Sequence, residues 1–253
     1  LPKILCLHGG GTNAAIFHRQ MRCIIRSLSS HFTFVFVDAP HPSPAGPDVL
    51  SVYKDWGPFR QWLQWHPQWP LVDGQDDIKA AERLEKTVRE VVVEQRDRSQ
   101  GRGGDWVGVL GFSQGAKIAA SILYETERRG RDGKEGFAGV DWRFGILLAG
   151  RAPLVALGDW GSVEEDEYMD LPGECCPPPM RRGSAAGNGK RVGRPTLHVH
   201  GSKDRGVELH RALVEGYCEK GSAEVLEWEG EHRVPFKRGD VERVVKGILR
   251  TAE

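Results

Sequence analysis

The sequence lacks two features that would point to other classes of protein. No apolar run approaches the about 20 residues that a bilayer-crossing helix needs. The formal net charge is +0, from 35 basic and 35 acidic side chains, and this balance argues against a general nucleic-acid or membrane-surface binder. Its 253 residues suffice for one domain with a buried core, and we expect a single domain over residues 1–253.

Cysteine is scarce, and its spacing fits neither a zinc site nor a disulfide framework. The five cysteines stand at positions 6, 23, 175, 176 and 218. The adjacent Cys175 and Cys176 fall in a proline-rich stretch, where a plain loop is a better interpretation than a redox pair. The run from Leu1 to Leu7 is too short for a signal peptide. We therefore expect a reducing, cytoplasmic location.

Short apolar runs alternate along the chain with longer segments of helical periodicity. Most runs are continuously apolar, which predicts strands that are covered on both faces. The predicted strands are Lys3–Leu7, Thr33–Val37, Trp106–Leu110, Phe144–Ala149, Thr196–His200 and Ala223–Glu227. The predicted helices are Ala14–Ser29, Asp76–Gln95, Gln114–Arg128, Val207–Lys220 and Asp240–Leu249. This alternation predicts an α/β fold: a doubly wound, mostly parallel sheet of about six strands with helices on both faces.

Two segments interrupt the alternation. Residues 39–74 are rich in proline and tryptophan, and they predict an ordered cap or pocket wall. Residues 157–194 are rich in glycine, proline and charge, and they predict a loop excursion. This second segment contains a basic cluster from Arg181 to Arg194. The cluster could meet an acidic carrier protein, although a solvated loop is the better interpretation.

The segment Gly111–Gly115 reads Gly-Phe-Ser-Gln-Gly and joins a predicted strand to a predicted helix. This G-x-S-x-G pattern in this context is typical of a nucleophile elbow, a sharp turn that exposes one serine Oγ at the end of a sheet. A serine hydroxyl becomes a good nucleophile when a histidine takes its proton and a carboxylate orients that histidine. The pattern therefore predicts Ser113 as a nucleophile with two partners elsewhere in the chain.

Candidates for both partners follow in the order acid, then histidine, which this fold class favours. Asp204 comes just after the strand that ends near His200, and His232 comes after the strand that ends near Trp228. Reacting groups collect at the carboxyl ends of parallel strands. The spacing therefore predicts that Ser113, Asp204 and His232 meet at one edge of the sheet.

Each partner also has a simpler interpretation. Asp204 fits a helix N-cap ahead of the helix that begins at Val207, and His232 fits an ordinary loop histidine. Other histidines compete for the role of base. They are His198 and His200 in or at the end of a strand, His210 in a helix, and His31, His41 and His66 in loops.

Acyl transfer also needs preorganised N–H donors for the oxyanion. The backbone N–H of Gln114, directly after the predicted nucleophile, is the first candidate. The loop after the first strand reads His-Gly-Gly-Gly-Thr-Asn over residues 8–13 and is similar to the HGGG-type donor loop of esterases. It predicts Gly10 as the second donor, with Gly11 next. The alternative is that these glycines only form a tight turn; a phosphate loop is disfavoured because no Gly-Lys-Ser/Thr follows.

An aromatic segment lies between Trp56 and Trp65, and its apolar residues at 56, 59, 62 and 63 fit one helical face. One interpretation is packing in the core or cap. The functional interpretation is an acyl-chain pocket beside the serine, lined by Trp56, Phe59 and Trp62, because such pockets are mostly apolar.

Together these motifs resemble the fungal serine hydrolase family of the α/β-hydrolase superfamily, and within it the thioesterases that release polyketides. The resemblance covers most of the chain. It rests on Leu5–Gly9, Ile16–Phe17, Asp38–His41, Trp56–Phe59, Gly111–Ala116, His200–Asp204 and Gly230–Pro235. It implies an α/β-hydrolase fold with Ser113 as nucleophile, Asp204 as the orienting acid and His232 as base.

The resemblance also implies a substrate class. The preferred substrate is a polyketide or fatty acyl thioester, with the acyl carrier domain of a polyketide synthase as the expected partner. The alternative is a carboxylesterase or lactonase that acts on small or medium esters. A hydrolase fold used only for binding is a third hypothesis, which a missing triad member would favour. The acyl-transfer chemistry needs no metal or organic cofactor, and none is expected.

Overall fold

The computed structural model describes residues 1–63, 75–98, 100–158 and 191–253. Most of the predicted excursion 157–194 lies outside these residues, including Cys175, Cys176 and the basic cluster from Arg181 to Lys190. Residues 64–74 of the predicted cap segment, with His66, lie outside them as well. The organisation of residues 1–253 as one domain stays a prediction.

A six-stranded parallel sheet forms the centre of the described structure. In chain order the strands are β1 (Lys3–Leu7), β2 (Thr33–Val37), β3 (His41–Pro42), β4 (Arg60–Gln61), β5 (Trp106–Phe112), β6 (Phe144–Leu148), β7 (Thr196–Gly201) and β8 (Ala223–Trp228). All except β3 and β4 join the main sheet, in the order β2-β1-β5-β6-β7-β8, and each neighbouring pair is parallel. The prediction of a parallel α/β sheet of about six strands is confirmed.

The helices that connect these strands are α1 (Ala14–Leu28), α2 (Val49–Tyr53), α3 (Gln75–Arg98), α4 (Gln114–Arg131), α5 (Val207–Tyr217) and α6 (Arg238–Thr251). All five predicted helices are present, with ends that differ by a few residues. In α1 the side chain of Asn13 caps the first turn by accepting from the Ile16 N–H, and one apolar face is buried. The short α2 was not predicted.

The two faces of the sheet carry separate hydrophobic clusters. Along β1, Leu5 and Leu7 pack with residues of α3 and α4, whereas Ile4 and Cys6 pack with residues of α1 and α6. Successive side chains of a strand point to opposite faces, so a strand covered on both sides must be apolar throughout. This is why β1 reads as an uninterrupted apolar run.

The described part of the aromatic segment, which ends at Leu63, is not helical, so that part of the prediction is wrong. Arg60 and Gln61 form β4, which pairs antiparallel with β3. Pro42 lies within this pairing, opposite Arg60, and Pro58 comes shortly before β4. Proline and the residue before it favour extended backbone over helix. The apolar residues at 56, 59, 62 and 63 therefore have helical spacing in the sequence but do not lie on a helix.

The described end of the basic cluster is paired within the protein. Arg191 donates to the carbonyl oxygens of Glu215 and Cys218, and Arg194 donates to the Trp142 carbonyl and forms an ion pair with Asp141. These two side chains are thus part of the folded structure near α5 and β7. Among the described residues, no helix combines the length and the apolar character that crossing a membrane requires.

Several histidines of the described structure have no solvent-exposed surface. They are His8 after β1, His198 and His200 in β7, and His210 in α5. Burial disfavours the charged imidazolium, and it lowers the pKa to about 4 for His8 and His200 and to about 3 for His198 and His210. These rings are therefore neutral in the folded protein at neutral pH.

We predict that the free energy of unfolding falls as the pH is lowered from 7.5 to 5. Unfolded histidines bind protons below a pKa of about 6.5. The buried histidines do not bind them until the pH approaches their lowered pKa values of about 3 to 4, so acid favours the unfolded chain. Urea unfolding at several pH values measures the slope of the free energy of unfolding against pH. His198→Asn should reduce this slope, whereas Ser27→Ala, which replaces an exposed residue without a titratable group, should not. A free energy of unfolding that did not change between pH 7.5 and 5 would contradict this account.

Candidate active site

The turn between β5 and α4 holds Ser113 in a backbone conformation that residues other than glycine rarely adopt, with φ 54° and ψ −116°. The Ser113 N–H donates to the Leu148 carbonyl at 2.8 Å, which ties the turn to β6. A Cβ on Gly111 would lie 2.2 Å from the Gly115 carbonyl oxygen, and one on Gly115 would lie 2.1 Å from that of Leu7. Glycine at both positions lets strand and helix approach this closely, as in a nucleophile elbow.

Ser113, His232 and Asp204 form a continuous chain of hydrogen bonds at the carboxyl edge of the sheet. The Ser113 Oγ lies 2.8 Å from His232 Nε2, and His232 Nδ1 lies 2.5 Å from Asp204 Oδ2. The two loops that carry the acid and the histidine are joined through their backbones, since the Lys203 N–H donates to the Gly230 carbonyl at 2.9 Å. The structure thus brings together the three residues singled out in the sequence.

Asp204 is almost fully buried and held from several sides. Its Oδ1 accepts from the Gly206 N–H at 2.8 Å and lies 3.5 Å from Arg151 Nη2, while its Oδ2 lies 3.5 Å from His210 Nε2. Burial opposes ionisation, but the hydrogen bond and charge of His232, with the Gly206 N–H, lower the pKa of Asp204 to about 2. An ionised Asp204 accepts a hydrogen bond from the His232 Nδ1–H, and this leaves Nε2 as the acceptor for the Ser113 hydroxyl.

The simpler interpretation of Asp204 as a helix cap is wrong. Gly206 occupies the N-cap of α5, and that helix has no side-chain cap. Among the described histidines, His232 is the one hydrogen bonded to Ser113. The rivals His198, His200 and His210 are fully buried, as is typical of core histidines.

The glycine loop after β1 does not offer its two candidate donors equally. The Gly11 N–H donates to the Arg60 carbonyl at 2.9 Å, so the prediction of Gly11 as an alternative donor is wrong. Gly11 has φ +72°, and a Cβ there would lie 2.2 Å from the Gly46 nitrogen, which explains the glycine. Gln114 is the first residue of α4, where N–H groups have no acceptor within the helix. The donor roles of Gly10 and Gln114 stay predictions.

The three aromatic residues predicted as a pocket wall behave differently. Trp62 is 1% exposed and donates its indole N–H to the His8 carbonyl at 2.8 Å, which favours the packing interpretation of this residue over a place in the wall of an acyl-chain pocket. Its burial follows from β4, which carries it under the glycine loop. Trp56 remains 42% exposed and Phe59 is half-buried. Contact of Trp56 and Phe59 with a substrate stays a prediction.

Two features of the site were missed in the sequence. The Gln114 side chain bonds to the backbone of Trp62 and Leu63, although the motif suggested a role for its backbone alone. Such a contact depends on the fold and has no local signal. Arg151 lies beside Asp204, and its position three residues after β6 at the carboxyl edge could have indicated it.

A metal ion has one candidate position among the described residues. Asp204, His210 and His232 offer ligand atoms within 4.8 Å of one another. Asp204 and His232 already bond to each other at 2.5 Å, and the Arg151 guanidinium beside Asp204 opposes a further cation. The chemistry of this donor set therefore favours a hydrogen-bonded chain over a metal centre.

The fold and sequence are similar to those of known hydrolases. Solved structures that resemble it include esterase PE8, with a TM-score of 0.58 and 15% identity over 100% of this chain and 93% of that one. A carboxylesterase from Mesorhizobium loti has a TM-score of 0.54 at 15% identity, over 98% of this chain and 88% of that one. At this identity the likeness concerns the fold, which is that of the α/β-hydrolases.

Curated relatives are much closer in sequence. Esterase citA of Monascus ruber is 46% identical over 252 residues, which cover 100% of this chain and 92% of that protein. Esterase claE of Penicillium crustosum is 43% identical over 263 aligned residues, with 100% and 93% covered. Residues 1–244 match the family described as Serine hydrolase (FSH1). The chain therefore belongs to the FSH1 serine hydrolase family.

Proposed function

We propose that this protein is an acyl hydrolase that works through an acyl-enzyme on Ser113. The observation that carries the proposal is the hydrogen-bonded chain from Ser113 Oγ through His232 to Asp204, over 2.8 and 2.5 Å. Membership of a serine hydrolase family supports it. Because no member of the chain is missing, the alternative of a fold used only for binding is disfavoured.

In the first half of the reaction, Ser113 Oγ attacks the acyl carbonyl while His232 Nε2 takes its proton. Ionised Asp204 stabilises the imidazolium that forms and fixes its orientation. The N–H groups of Gln114 and Gly10 donate to the oxyanion of the tetrahedral intermediate. The intermediate collapses to the acyl-serine, and the leaving alcohol or thiol takes the proton from His232.

In the second half, water replaces the leaving group. His232 Nε2 takes a proton from the water as its oxygen attacks the acyl-serine carbonyl, and the same N–H groups hold the second oxyanion. Collapse returns the proton to Ser113 Oγ and releases the carboxylic acid. All proton transfers use His232, whose side chain is 36% exposed and so accessible to water and substrate.

For the substrate, we propose a polyketide or fatty acyl thioester presented by an acyl carrier protein. This follows from the resemblance to polyketide-releasing thioesterases, of which the first-loop motif Leu5–Gly9 and the motif Trp56–Phe59 are the more particular marks. The second candidate is a small or medium oxygen ester or lactone, which the esterase names of the relatives favour. The reducing, cytoplasmic location expected from cysteine usage belongs to the same proposal.

Ser113→Ala should lower kcat by at least about a thousandfold, because the nucleophile is lost while the oxyanion donors remain. It should also abolish labelling by a fluorophosphonate probe. Ser27→Ala, at an exposed serine of α1, is the control and should behave like the parent protein. Hydrolysis by the Ser113→Ala variant at the parent rate would refute the proposal.

The substrate class can be tested with one acyl chain on three leaving groups: an octanoyl acyl carrier protein, octanoyl-pantetheine and p-nitrophenyl octanoate. Carrier recognition predicts at least a tenfold higher kcat/KM for the carrier-bound thioester than for octanoyl-pantetheine. Equal values would contradict a carrier partner. Turnover of the oxygen ester without turnover of either thioester would favour the second candidate.

A further inference from the structure

A buried tryptophan contacts the glycine loop that leads to the predicted oxyanion donor Gly10. The Trp62 side chain is 1% exposed, its indole N–H donates to the His8 carbonyl at 2.8 Å, and the two rings lie 5.4 Å apart. A buried indole N–H needs an acceptor, so this bond fixes the ring and the carbonyl together. The carbonyl belongs to the peptide that joins His8 to Gly9, so the bond orients the start of the loop.

The His8 side chain holds the same loop from the other side. Its Nε2 accepts from the Ala39 N–H at 3.0 Å, and its Nδ1 lies 2.8 Å from the Gly9 carbonyl oxygen. These contacts require a neutral ring with its proton on Nδ1, consistent with the lowered pKa of about 4 that burial gives His8. The backbone near Gly9 is therefore tied both to the end of β2 and to Trp62.

The Gln114 side chain in turn holds Trp62. Its Oε1 accepts from the Trp62 backbone N–H at 2.7 Å, and its Nε2 donates to the Leu63 carbonyl at 3.1 Å. The amide thus pairs with this segment as a neighbouring strand would. The backbone N–H of Gln114 is the other predicted oxyanion donor, so one residue links both sides of the oxyanion hole.

We propose that the side chains of Trp62 and Gln114 are positioning residues that set the distance between the two oxyanion donors, Gly10 N–H and Gln114 N–H. The proposal rests on the function proposed above. Neither side chain touches the reacting atoms; both act through the loop of residues 8–11. The physical basis is that oxyanion donors accelerate acyl transfer when they are held in place before the charge develops.

The expected effect is on turnover rather than on substrate binding. Loss of one oxyanion donor costs about 100- to 1000-fold in kcat, and a displaced donor should cost less. We therefore expect Trp62→Phe, which removes the indole N–H, to lower kcat by about 10- to 100-fold, with KM changed less than about threefold. Affinity for an alkyl boronic acid, which forms a tetrahedral adduct on the serine, should fall by a similar factor.

Trp142 provides a matched control. Its indole is also fully buried and donates to a backbone carbonyl, that of Phe137, at 2.9 Å. Trp142→Phe removes the same kind of bond on the α3 and α4 side of the sheet, away from the glycine loop. Both substitutions should lower the free energy of unfolding, whereas loss of kcat and of boronate affinity should be confined to Trp62→Phe. Equal kcat and boronate affinity in the two variants would overturn the proposal.

Gln114 provides a second test that does not depend on the stability of Trp62→Phe. Gln114→Met keeps the backbone N–H and removes the side-chain hydrogen bonds, so a fall in kcat of about tenfold or more would come from lost positioning. Gln114→Glu keeps an acceptor for the Trp62 N–H and should recover part of that loss. A kcat at the parent level in Gln114→Met would overturn the proposal.

Ser113→Ala, assayed in parallel, separates the two proposals. An active Ser113→Ala refutes the acyl-serine mechanism itself, whereas an inactive one beside a fully active Gln114→Met refutes the positioning role alone.

Discussion

The hydrogen bond between Ser113 Oγ and His232 Nε2 joins residues that are 119 positions apart in the chain. It can form because β5 and β8 end at the same edge of one parallel sheet. Asp204 lies in the loop after β7, and β7 lies between β5 and β8 in the sheet, so this loop leaves the same edge between the other two. Backbone bonds between the acid and histidine loops then remove most of the remaining freedom. The sheet thus holds these three side chains in place before any substrate binds, which is the condition that the proposed acyl transfer requires.

A second set of contacts builds the other half of the site from residues 39–63. The Gly11 N–H donates to the Arg60 carbonyl, and the Arg60 N–H donates to the Thr12 carbonyl. The Asn13 side chain donates to the Trp56 and Pro58 carbonyls. Residues 11–13, the second half of the glycine loop, are therefore bonded to the backbone of this segment. This pairing gives a structural reason for the motif Trp56–Phe59: its backbone carbonyls meet the Asn13 side chain, where the glycine loop enters α1.

Much of this arrangement could be predicted from the sequence because its signals are local. Continuous apolar runs indicated buried parallel strands, periodic apolar residues indicated the helices, and the elbow motif located Ser113. The order of acid and histidine along the chain then located Asp204 and His232, since both follow strands that end at one edge. Each of these inferences needed a pattern of a few adjacent residues and a general rule of fold topology.

The remaining features depend on contacts that no local pattern encodes. The aromatic spacing around Trp62 resembled a helical face, but prolines and pairing with β3 made the backbone extended. Gly11 could not be separated from Gly10 until its N–H was seen to bond to Arg60. The Gln114 side chain meets Trp62 across 52 positions of sequence. Tertiary hydrogen bonds of this kind have no periodicity, so they emerge once the fold is known.

The central claim is that acyl groups pass through Ser113. The most direct test is acid quenching of the protein within milliseconds of mixing with excess p-nitrophenyl octanoate, followed by mass spectrometry of the intact chain and of its peptides. The account predicts a mass increase of one octanoyl group, located on the peptide that contains Ser113. Rapid turnover with the adduct on another residue, such as a cysteine, would contradict it.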